Sequence, residues 1–315
     1  MPLNFFSENN FSFSWRDIIT KPISKPAALL LALFVTFLWS TSFIIIKQGI
    51  NEIPPLTFAG LRYSIAFLFL LPFALTKNRI HEIKQLRSRD WQKLIALGIL
   101  FYTLTQGLQF VGLSLLPAVS VSLILNFTPV VVALLGIVTI KEIPSRRQWA
   151  GVVLFVLGVM LYFLPADLSS SRMIGIIVMI GGVVVNAGSA VLGRSINRSG
   201  KFHPLTVTII SMGIGSVVLL AAGLFTNGIP VIGFKNILFL LWLAGINTAV
   251  AFTLWNLTQR SLSAMESSII NGTMLIQIAF LAWIFLGESI TAKKGIGMFI
   301  AGAGALLVQL RKNEI

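Results

Sequence analysis

Arg62 is the one full charge that lies clearly inside a long apolar run of this sequence. Ionisable side chains are rare in such runs and usually face the interior of a helix bundle or a water-filled cavity. A guanidinium in that setting can hold a carboxylate through two parallel hydrogen bonds. It can equally form a structural ion pair, with Glu52 or Glu288 at the same end of the helices. The sequence leaves both interpretations of Arg62 open.

Two asparagines, Asn126 and Asn271, lie near the middle of other apolar runs, as do the indoles of Trp39 and Trp255. Amides at such positions could hydrogen-bond a small zwitterion, and indoles could stack on its apolar part. The simpler interpretation is that polar side chains link neighbouring helices, each hydrogen bond contributing about 0.6 kcal/mol. For Asn126 and Asn271 both interpretations stay open.

Composition determines the kind of element that carries these residues. Of the 315 residues, 56% are hydrophobic and 11% are charged, and the mean hydropathy is +0.90. Apolar runs of about 20 residues recur along nearly the whole chain, and a helix of that length crosses a hydrocarbon core of about 30 Å. The sequence therefore predicts an all-α integral membrane protein, with helices rather than a barrel spanning the lipid.

Proline, glycine and charge clusters divide the chain into ten predicted transmembrane helices. They cover residues 27–49, 56–76, 92–113, 118–140, 148–164, 173–193, 204–225, 236–257, 263–286 and 292–310. Residues 1–26 are too polar to span and are expected to form a cytoplasmic tail. Alternatively, the aromatic side chains of this tail form an interfacial anchor.

Basic residues are distributed unevenly between the two sides of this topology. Most of the 24 lysines and arginines fall on the side of the N-terminus and in alternate connectors after it. Because basic connectors stay in the cytoplasm, both termini are predicted to be cytoplasmic in an inner or plasma membrane. This bias also accounts for the net charge of +14, so no nucleic-acid partner is expected.

The second half of the chain repeats the polar landmarks of the first half in the same order. Pro55-Leu56-Thr57 aligns with Pro204-Leu205-Thr206, Asn126 with Asn271, and Lys141-Glu142 with Gly287-Glu288. Because each copy contains an odd number of spans, the two copies enter the membrane in opposite senses. The prediction is two inverted five-helix repeats, at 27–164 and 173–310, an architecture that can open a midplane site to either side.

Several short stretches carry a family resemblance. They are Trp39-Ser40-Thr41-Ser42-Phe43, Pro54-Pro55 followed by Arg62, Leu262-Ser263-Ala264-Met265-Glu266-Ser267-Ser268, and Leu286-Gly287-Glu288. Together they resemble the EamA-type transporters of the drug/metabolite superfamily. The resemblance implies a ten-helix carrier that exports amino acids or related metabolites, coupled to protons in many members. Small four-helix relatives use a glutamate in the first helix, and this chain has no acid in its first span.

The resemblance also implies a central cavity, lined mainly by the first, third, fourth, sixth, eighth and ninth helices. With Arg62 from the second helix, the candidate binding residues are Trp39, Ser40, Ser42, Gln106, Gln109, Asn126, Asn186, Ser189, Trp255, Asn256, Asn271, Thr273 and Gln277. Each is expected either to contact substrate or to join two helices.

Three glutamates are candidates for coupling or gating. Glu142 and Glu288 end equivalent helices on opposite faces, which favours a helix-boundary or gate contact. Glu266 lies in the first turn of the predicted ninth helix, where the positive end of the helix dipole favours a carboxylate. It could carry a proton or simply cap the helix.

The chain lacks the residues that several classes of enzyme and metal-binding protein require. Cysteine is absent, which removes disulfides, zinc ribbons and thiol nucleophiles, and no H-E-x-x-H, G-x-S-x-G or P-loop motif occurs. We therefore expect a secondary transporter, with no enzymatic activity, metal or cofactor, and a non-transporting receptor or partner protein as the alternative. A stripe of Gly297, Ala301 and Ala305 on the tenth helix is expected to pack within a monomer or between two copies.

Overall fold

The structure, a computed structural model, describes residues 24–140, 145–164, 170–198, 201–228, 230–258, 261–262 and 270–309. These ranges are helical and contain no β-strand. The α-helices are α1 Lys25–Gly49, α2 Pro55–Ala74, α3 Lys77–Lys84, α4 Ser88–Leu97, α5 Gln106–Leu115, α6 Ala118–Leu125, α7 Thr128–Ile140, α8 Arg146–Phe163, α9 Ser170–Arg198, α10 Pro204–Asn227, α11 Phe234–Ala244, α12 Ala251–Thr258, α13 Met274–Leu286 and α14 Ala292–Gln309. Two π-helical segments, π1 Gly98–Thr105 and π2 Gly245–Val250, join α4 to α5 and α11 to α12.

Most of these helices are apolar along their length. In the described part of the chain, helices long and apolar enough to span a membrane cover Lys25–Gly49, Pro55–Ala74, Ser88–Leu115, Arg146–Phe163, Ser170–Gly193 and Leu205–Asn227. Shorter apolar helices cover Ala118–Val132, Phe234–Val250 and Ile270–Leu286. Helices satisfy their backbone hydrogen bonds internally, as lipid requires. The chain is thus a multi-pass helical membrane protein, while the count of ten spans stays a prediction.

The predicted fourth and ninth helices are each interrupted at a similar place. A turn at Asn126 separates α6 from α7, and a turn at Thr273 precedes α13. Pro129 contributes to the first break, because proline has no N–H to offer the preceding turn. Gly272 weakens the helix just before the second break.

The predicted third and eighth helices each contain one of the π-helical segments. Both segments begin at a glycine and hold a threonine that satisfies a carbonyl of the widened turn. Thr105 Oγ1 donates to the Leu100 carbonyl at 2.9 Å, and Thr248 Oγ1 donates to the Leu243 carbonyl at 2.8 Å. Such insertions into α-helices occur frequently at functional sites.

Small residues let α8 and α14 approach to backbone contact. A Cβ atom added to Gly158 of α8 would lie only 2.3 Å from the backbone nitrogen of Ala301 in α14. One added to Gly297 would lie 2.8 Å from the carbonyl oxygen of Gly158. Ala301 and Ala305 are both buried. The small-residue stripe on α14 therefore packs within the molecule, against α8.

The short helix α3 lies between two spans and reaches the start of α10 through Glu82. The Glu82 carboxylate accepts hydrogen bonds from the His203 N–H at 2.5 Å and from the Thr206 hydroxyl at 2.6 Å. Arg79 forms an ion pair with it at 3.1 Å. Partial burial acts to raise the pKa of Glu82, but the three hydrogen bonds outweigh it and lower the pKa below its ordinary value. The carboxylate thus caps α10 and fixes the connector.

Candidate functional site

Three helical segments meet at a buried polar cluster, which comprises Ser42, Arg62, Asn247 and Thr248. Arg62 of α2 is 4% exposed and donates from Nε to Thr248 Oγ1 of π2 at 3.1 Å. Its Nη2 lies 3.5 Å from Ser42 Oγ of α1, and its Cζ lies 5.3 Å from the ring centroid of Tyr63. These partners are uncharged, so the positive charge of Arg62 is not neutralised by them.

Asn247 completes the polar cluster from π2 and is fully buried. Its Nδ2 donates to the Leu38 carbonyl, to Thr41 Oγ1 at 3.0 Å and to Ser42 Oγ at 2.8 Å. Because the Leu38 carbonyl can only accept, the amide must present Nδ2 to α1. Its Oδ1 is buried and has no hydrogen-bond partner in the described ranges. An unsatisfied buried acceptor of this kind costs about 1–3 kcal/mol.

A second set of hydrogen bonds joins α1 to α13 through Gln277. Gln277 Oε1 accepts from Ser40 Oγ at 2.9 Å. Gln277 Nε2 donates to Thr273 Oγ1 at 3.0 Å and contacts Thr36 Oγ1 at 3.3 Å. Ser40 and Thr36 are fully buried. One helix of the first half thus contacts the predicted eighth and ninth helices through polar groups on successive turns.

An aromatic trio, Trp39, Phe252 and Trp255, adjoins the polar cluster. The ring centroid of Trp39 lies 5.3 Å from that of Phe252 and 5.1 Å from that of Trp255. Trp39 lies one turn before Ser42 in α1, and Phe252 lies one turn after Thr248, so each pair shares a helix face. A charged and an aromatic region therefore follow one another along the contact between α1 and the predicted eighth helix.

Two more predicted residues, Gln106 and Asn186, form side-chain hydrogen bonds to a neighbouring helix. The Tyr63 hydroxyl donates to Gln106 Oε1 at 2.7 Å, joining α2 to α5. Asn186 Nδ2 of α9 donates to Thr128 Oγ1 of α7 at 3.2 Å, beside the break at Asn126. Both contacts match the expectation that intramembrane amides link helices.

Two other predicted amides, Asn126 and Asn271, make no side-chain contact of this kind within the described residues. Asn126 Nδ2 bonds to the carbonyl of Ser122 in its own helix at 2.9 Å. Asn271, its counterpart in the second half, is exposed. The backbone of Asn256 belongs to α12, but its side chain lies outside what the structure describes.

Lys47 and Glu288 hold the turn between α5 and α6 from both sides, an arrangement we name the Lys47–Glu288 clamp. Lys47 Nζ donates to the carbonyls of Leu113 at 2.6 Å and Leu116 at 2.8 Å, at the C-terminal end of α5. Glu288 accepts from the Ala118 N–H at 2.6 Å and from the next amide of α6 at 3.2 Å. Each charge faces the helix end of opposite polarity, which stabilises both contacts.

Neither expected ion pair of Arg62 is present. Glu288 binds the backbone of α6, and Glu52 accepts from Asn236 Nδ2 at 2.5 Å. Glu142 and Glu266 lie outside the described residues. Within the described ranges, no group of three or more histidine, aspartate and glutamate side chains could hold a metal ion.

The sequence analysis named several residues that lie in this region but did not name Asn247 or Thr248. It named Ser42 and Arg62, which meet in the polar cluster, and it named Trp39 and Trp255, which pack together. An amide and a hydroxyl just after Gly245, inside an apolar run of an implied cavity helix, were the signal that could have indicated the missed pair.

The sequence is similar to a known transporter family and to several of its members. The model of the EamA-like transporter family matches residues 26–164 and again residues 173–310. An uncharacterized transporter of Bacillus subtilis, YvbV, is 28% identical over 93% of this chain and 95% of its own length. The S-adenosylmethionine/S-adenosylhomocysteine transporter of Chlamydia muridarum is 26% identical over 84% of this chain and 86% of its own. A probable amino-acid metabolite efflux pump of Salmonella typhimurium is 25% identical over 90% and 93%, respectively.

A solved crystal structure has the same fold. It superposes with a TM-score of 0.63 over 90% of this chain and 96% of its own, at 17% sequence identity. At that identity the likeness concerns the fold alone.

Proposed function

The chain belongs to the EamA-like transporter family, and on that premise we propose that it is a secondary carrier that exports amino acids or related small metabolites by alternating access with proton coupling. The similarity to a probable amino-acid metabolite efflux pump supports this substrate class. The alternative is a non-transporting membrane receptor or partner protein. The observation that carries the proposal is the contact of α1 with π2, α12 and α13, where polar and aromatic side chains from distant parts of the sequence converge.

The proposed architecture is ten transmembrane helices in two inverted repeats, at 27–164 and 173–310, after a cytoplasmic tail at 1–26. Three features support it. The family model matches twice in succession. A π-helical segment occurs in the third and in the eighth predicted helix, and a break occurs in the fourth and in the ninth. Corresponding irregularities in two halves are typical of carriers whose site lies at the repeat interface.

The proposed binding site lies where the two halves meet around α1. Its proposed residues are Trp39, Ser42, Arg62, Gln106, Asn126, Asn186, Trp255, Asn256, Asn271 and Gln277. The polar cluster would hold the charged part of a substrate and the aromatic trio its apolar part. Moving one half against the other would separate α1 from π2 and expose these groups to one side of the membrane.

The Lys47–Glu288 clamp is the proposed outer gate. It ties the ends of α1 and α13 to the turn between α5 and α6, so four segments are closed together at one end. Glu288 is therefore proposed as a coupling or gate residue, because its carboxylate holds the start of α6. Glu142, at the equivalent sequence position on the opposite face, and Glu266 are proposed as the other coupling or gate residues.

The proposed setting is the inner or plasma membrane with both termini in the cytoplasm. The distribution of basic residues supports this orientation. We propose a monomer or homodimer that works without cofactor, metal or nucleic acid.

A binding screen followed by flux measurement tests the proposed function. Purified protein in detergent is heated with amino acids, nucleosides, sugars, polyamines and cationic dyes, and each stabilising compound is then tested for flux in proteoliposomes. Gradient-driven movement of an amino acid or related metabolite is expected. Stabilisation without flux in intact, reconstituted protein would favour the receptor alternative instead.

A further inference from the structure

We infer that the polar cluster is a head-group subsite for a zwitterion, in which Arg62 binds the carboxylate and Asn247 Oδ1 accepts a hydrogen bond from the ammonium group. The inference rests on the proposed transport function and deepens it. It assigns opposite charges of one substrate to two named side chains, one of which, Asn247, the sequence did not indicate.

The state of Arg62 is the first argument for a carboxylate ligand. Its guanidinium is almost completely buried, and its partners Ser42 and Thr248 are neutral hydroxyls. Among the described residues, no carboxylate forms an ion pair with it. A buried charge that lacks a countercharge is strongly destabilising. A substrate carboxylate would supply that countercharge, in the bidentate geometry that guanidinium favours.

The long contact between Arg62 and Ser42 is the second argument. Nη2 lies 3.5 Å from Ser42 Oγ, which is beyond the usual range of 2.7–3.2 Å for an N–H···O hydrogen bond. Ser42 Oγ already accepts a shorter bond, of 2.8 Å, from Asn247 Nδ2. A carboxylate oxygen can therefore replace this weak contact without breaking a strong hydrogen bond.

The unsatisfied oxygen of Asn247 is the independent observation. Its amide orientation is fixed by the Leu38 carbonyl, and its Oδ1 has no donor in the described ranges. Such groups are rare in buried positions because each one destabilises the fold. Both Asn247 Nδ2 and Arg62 Nη2 converge on Ser42 Oγ, so the free acceptor and the guanidinium belong to one small region. An ammonium donor beside a carboxylate would satisfy both residues at once.

Three probes separate the two contacts. L-leucine carries both charged groups, L-leucinamide lacks the carboxylate, and 4-methylpentanoate lacks the amine. Dissociation constants are measured by thermal shift at constant ionic strength. Leucine should bind wild-type protein about tenfold to hundredfold more tightly than either analogue, because each charge-assisted hydrogen bond lost weakens binding by that factor.

Variants assign each contact to its residue. Arg62→Gln should remove the preference for leucine over leucinamide, and Asn247→Ala should remove the preference for leucine over 4-methylpentanoate. Arg62→Lys keeps the charge and should retain part of the first preference, so a folding defect in Arg62→Gln does not leave the inference untested. Arg89→Gln, an exposed arginine, and Asn236→Ala, another buried asparagine, are the matched controls and should keep both preferences.

The possible outcomes test the head-group subsite and the proposed transport function separately. Equal binding of the three probes to wild-type protein, or no binding of leucine at all, overturns the head-group subsite even if another metabolite is transported. Selectivity that survives both Arg62 substitutions overturns the assignment of Arg62. Selective binding of leucine without flux in proteoliposomes supports the subsite and contradicts the proposed transport function.

Discussion

Removing the Glu288 carboxylate should loosen the outer end of the helix bundle. In Glu288→Ala, two backbone amides at the start of α6 lose their acceptor. Loss of a helix N-cap costs about 0.5–2 kcal/mol. If that energy stabilises only the closed arrangement, the open population rises by about twofold to thirtyfold. Glu288→Gln keeps one acceptor oxygen without its charge and should give an intermediate value.

A single cysteine can report this change, because the natural chain contains none. Ser120 lies in the first turn of α6, is 4% exposed, and has its Oγ 3.3 Å from the Tyr162 hydroxyl. In a Ser120→Cys background, a membrane-impermeant maleimide added from outside labels the thiol at a rate proportional to its exposure. Glu288→Ala should raise that rate by about twofold to thirtyfold, following the change in population.

A matched control separates gating from general destabilisation. Glu52 is predicted to lie on the same face but binds Asn236 instead of α6, so Glu52→Ala should leave the labelling rate of Ser120→Cys unchanged. Identical rates in Glu288→Ala and the parent would refute the clamp as a closing contact, even if the melting temperature fell. If Glu52→Ala raised the labelling rate of Ser120→Cys as much as Glu288→Ala does, the effect would not be specific to the Lys47–Glu288 clamp.

Three further predictions follow from the packing, the connector and the topology. The folded-state pKa of Glu82 lies below its ordinary value of 4.5, so its stabilisation is present above that value and is lost as pH falls through the lower folded pKa. Glu82→Gln should therefore flatten the acid side of a plot of melting temperature against pH, and an unchanged slope would contradict the capping role. Gly158→Ala should lower stability by about 1–3 kcal/mol because its Cβ meets the backbone of α14, whereas Gly302→Ala, which has open space, should not lower it in the same thermal unfolding assay. Single cysteines at the exposed positions Asn51 and Arg147 should be labelled from opposite sides of the membrane, the first from outside, and labelling of both from one side would refute the predicted orientation.

The sequence correctly predicted an all-helical chain with several apolar spans, because helices satisfy their backbone hydrogen bonds internally in lipid. The count of ten spans stays a prediction. The breaks within the predicted fourth and ninth helices were not predicted, although Pro129 and Gly272 lie beside them. The π-helical segments were not predicted, because Gly98 and Gly245 look like ordinary helix-packing glycines until the widened turns are seen. Composition alone does not distinguish a wide turn from a regular one.

Partners of individual polar residues were harder to predict than their positions. Arg62 was singled out by its charge, but Thr248 lies 186 residues away along the chain, and only the packing of α2 on π2 brings them together. The equivalence of Asn126 and Asn271 suggested equal roles, yet one bonds within its own helix and the other is exposed. The predicted equivalence of these two positions therefore does not extend to their side-chain environments.

The seam between α8 and α14 has a consequence for how this chain can diverge. Contacts such as the one between Gly158 and Ala301 are made by main chain, which every sequence possesses. A side chain larger than hydrogen at Gly158, Gly297 or Gly304 would press on the main chain of the facing helix, so this seam leaves almost no room for a change in size at these positions.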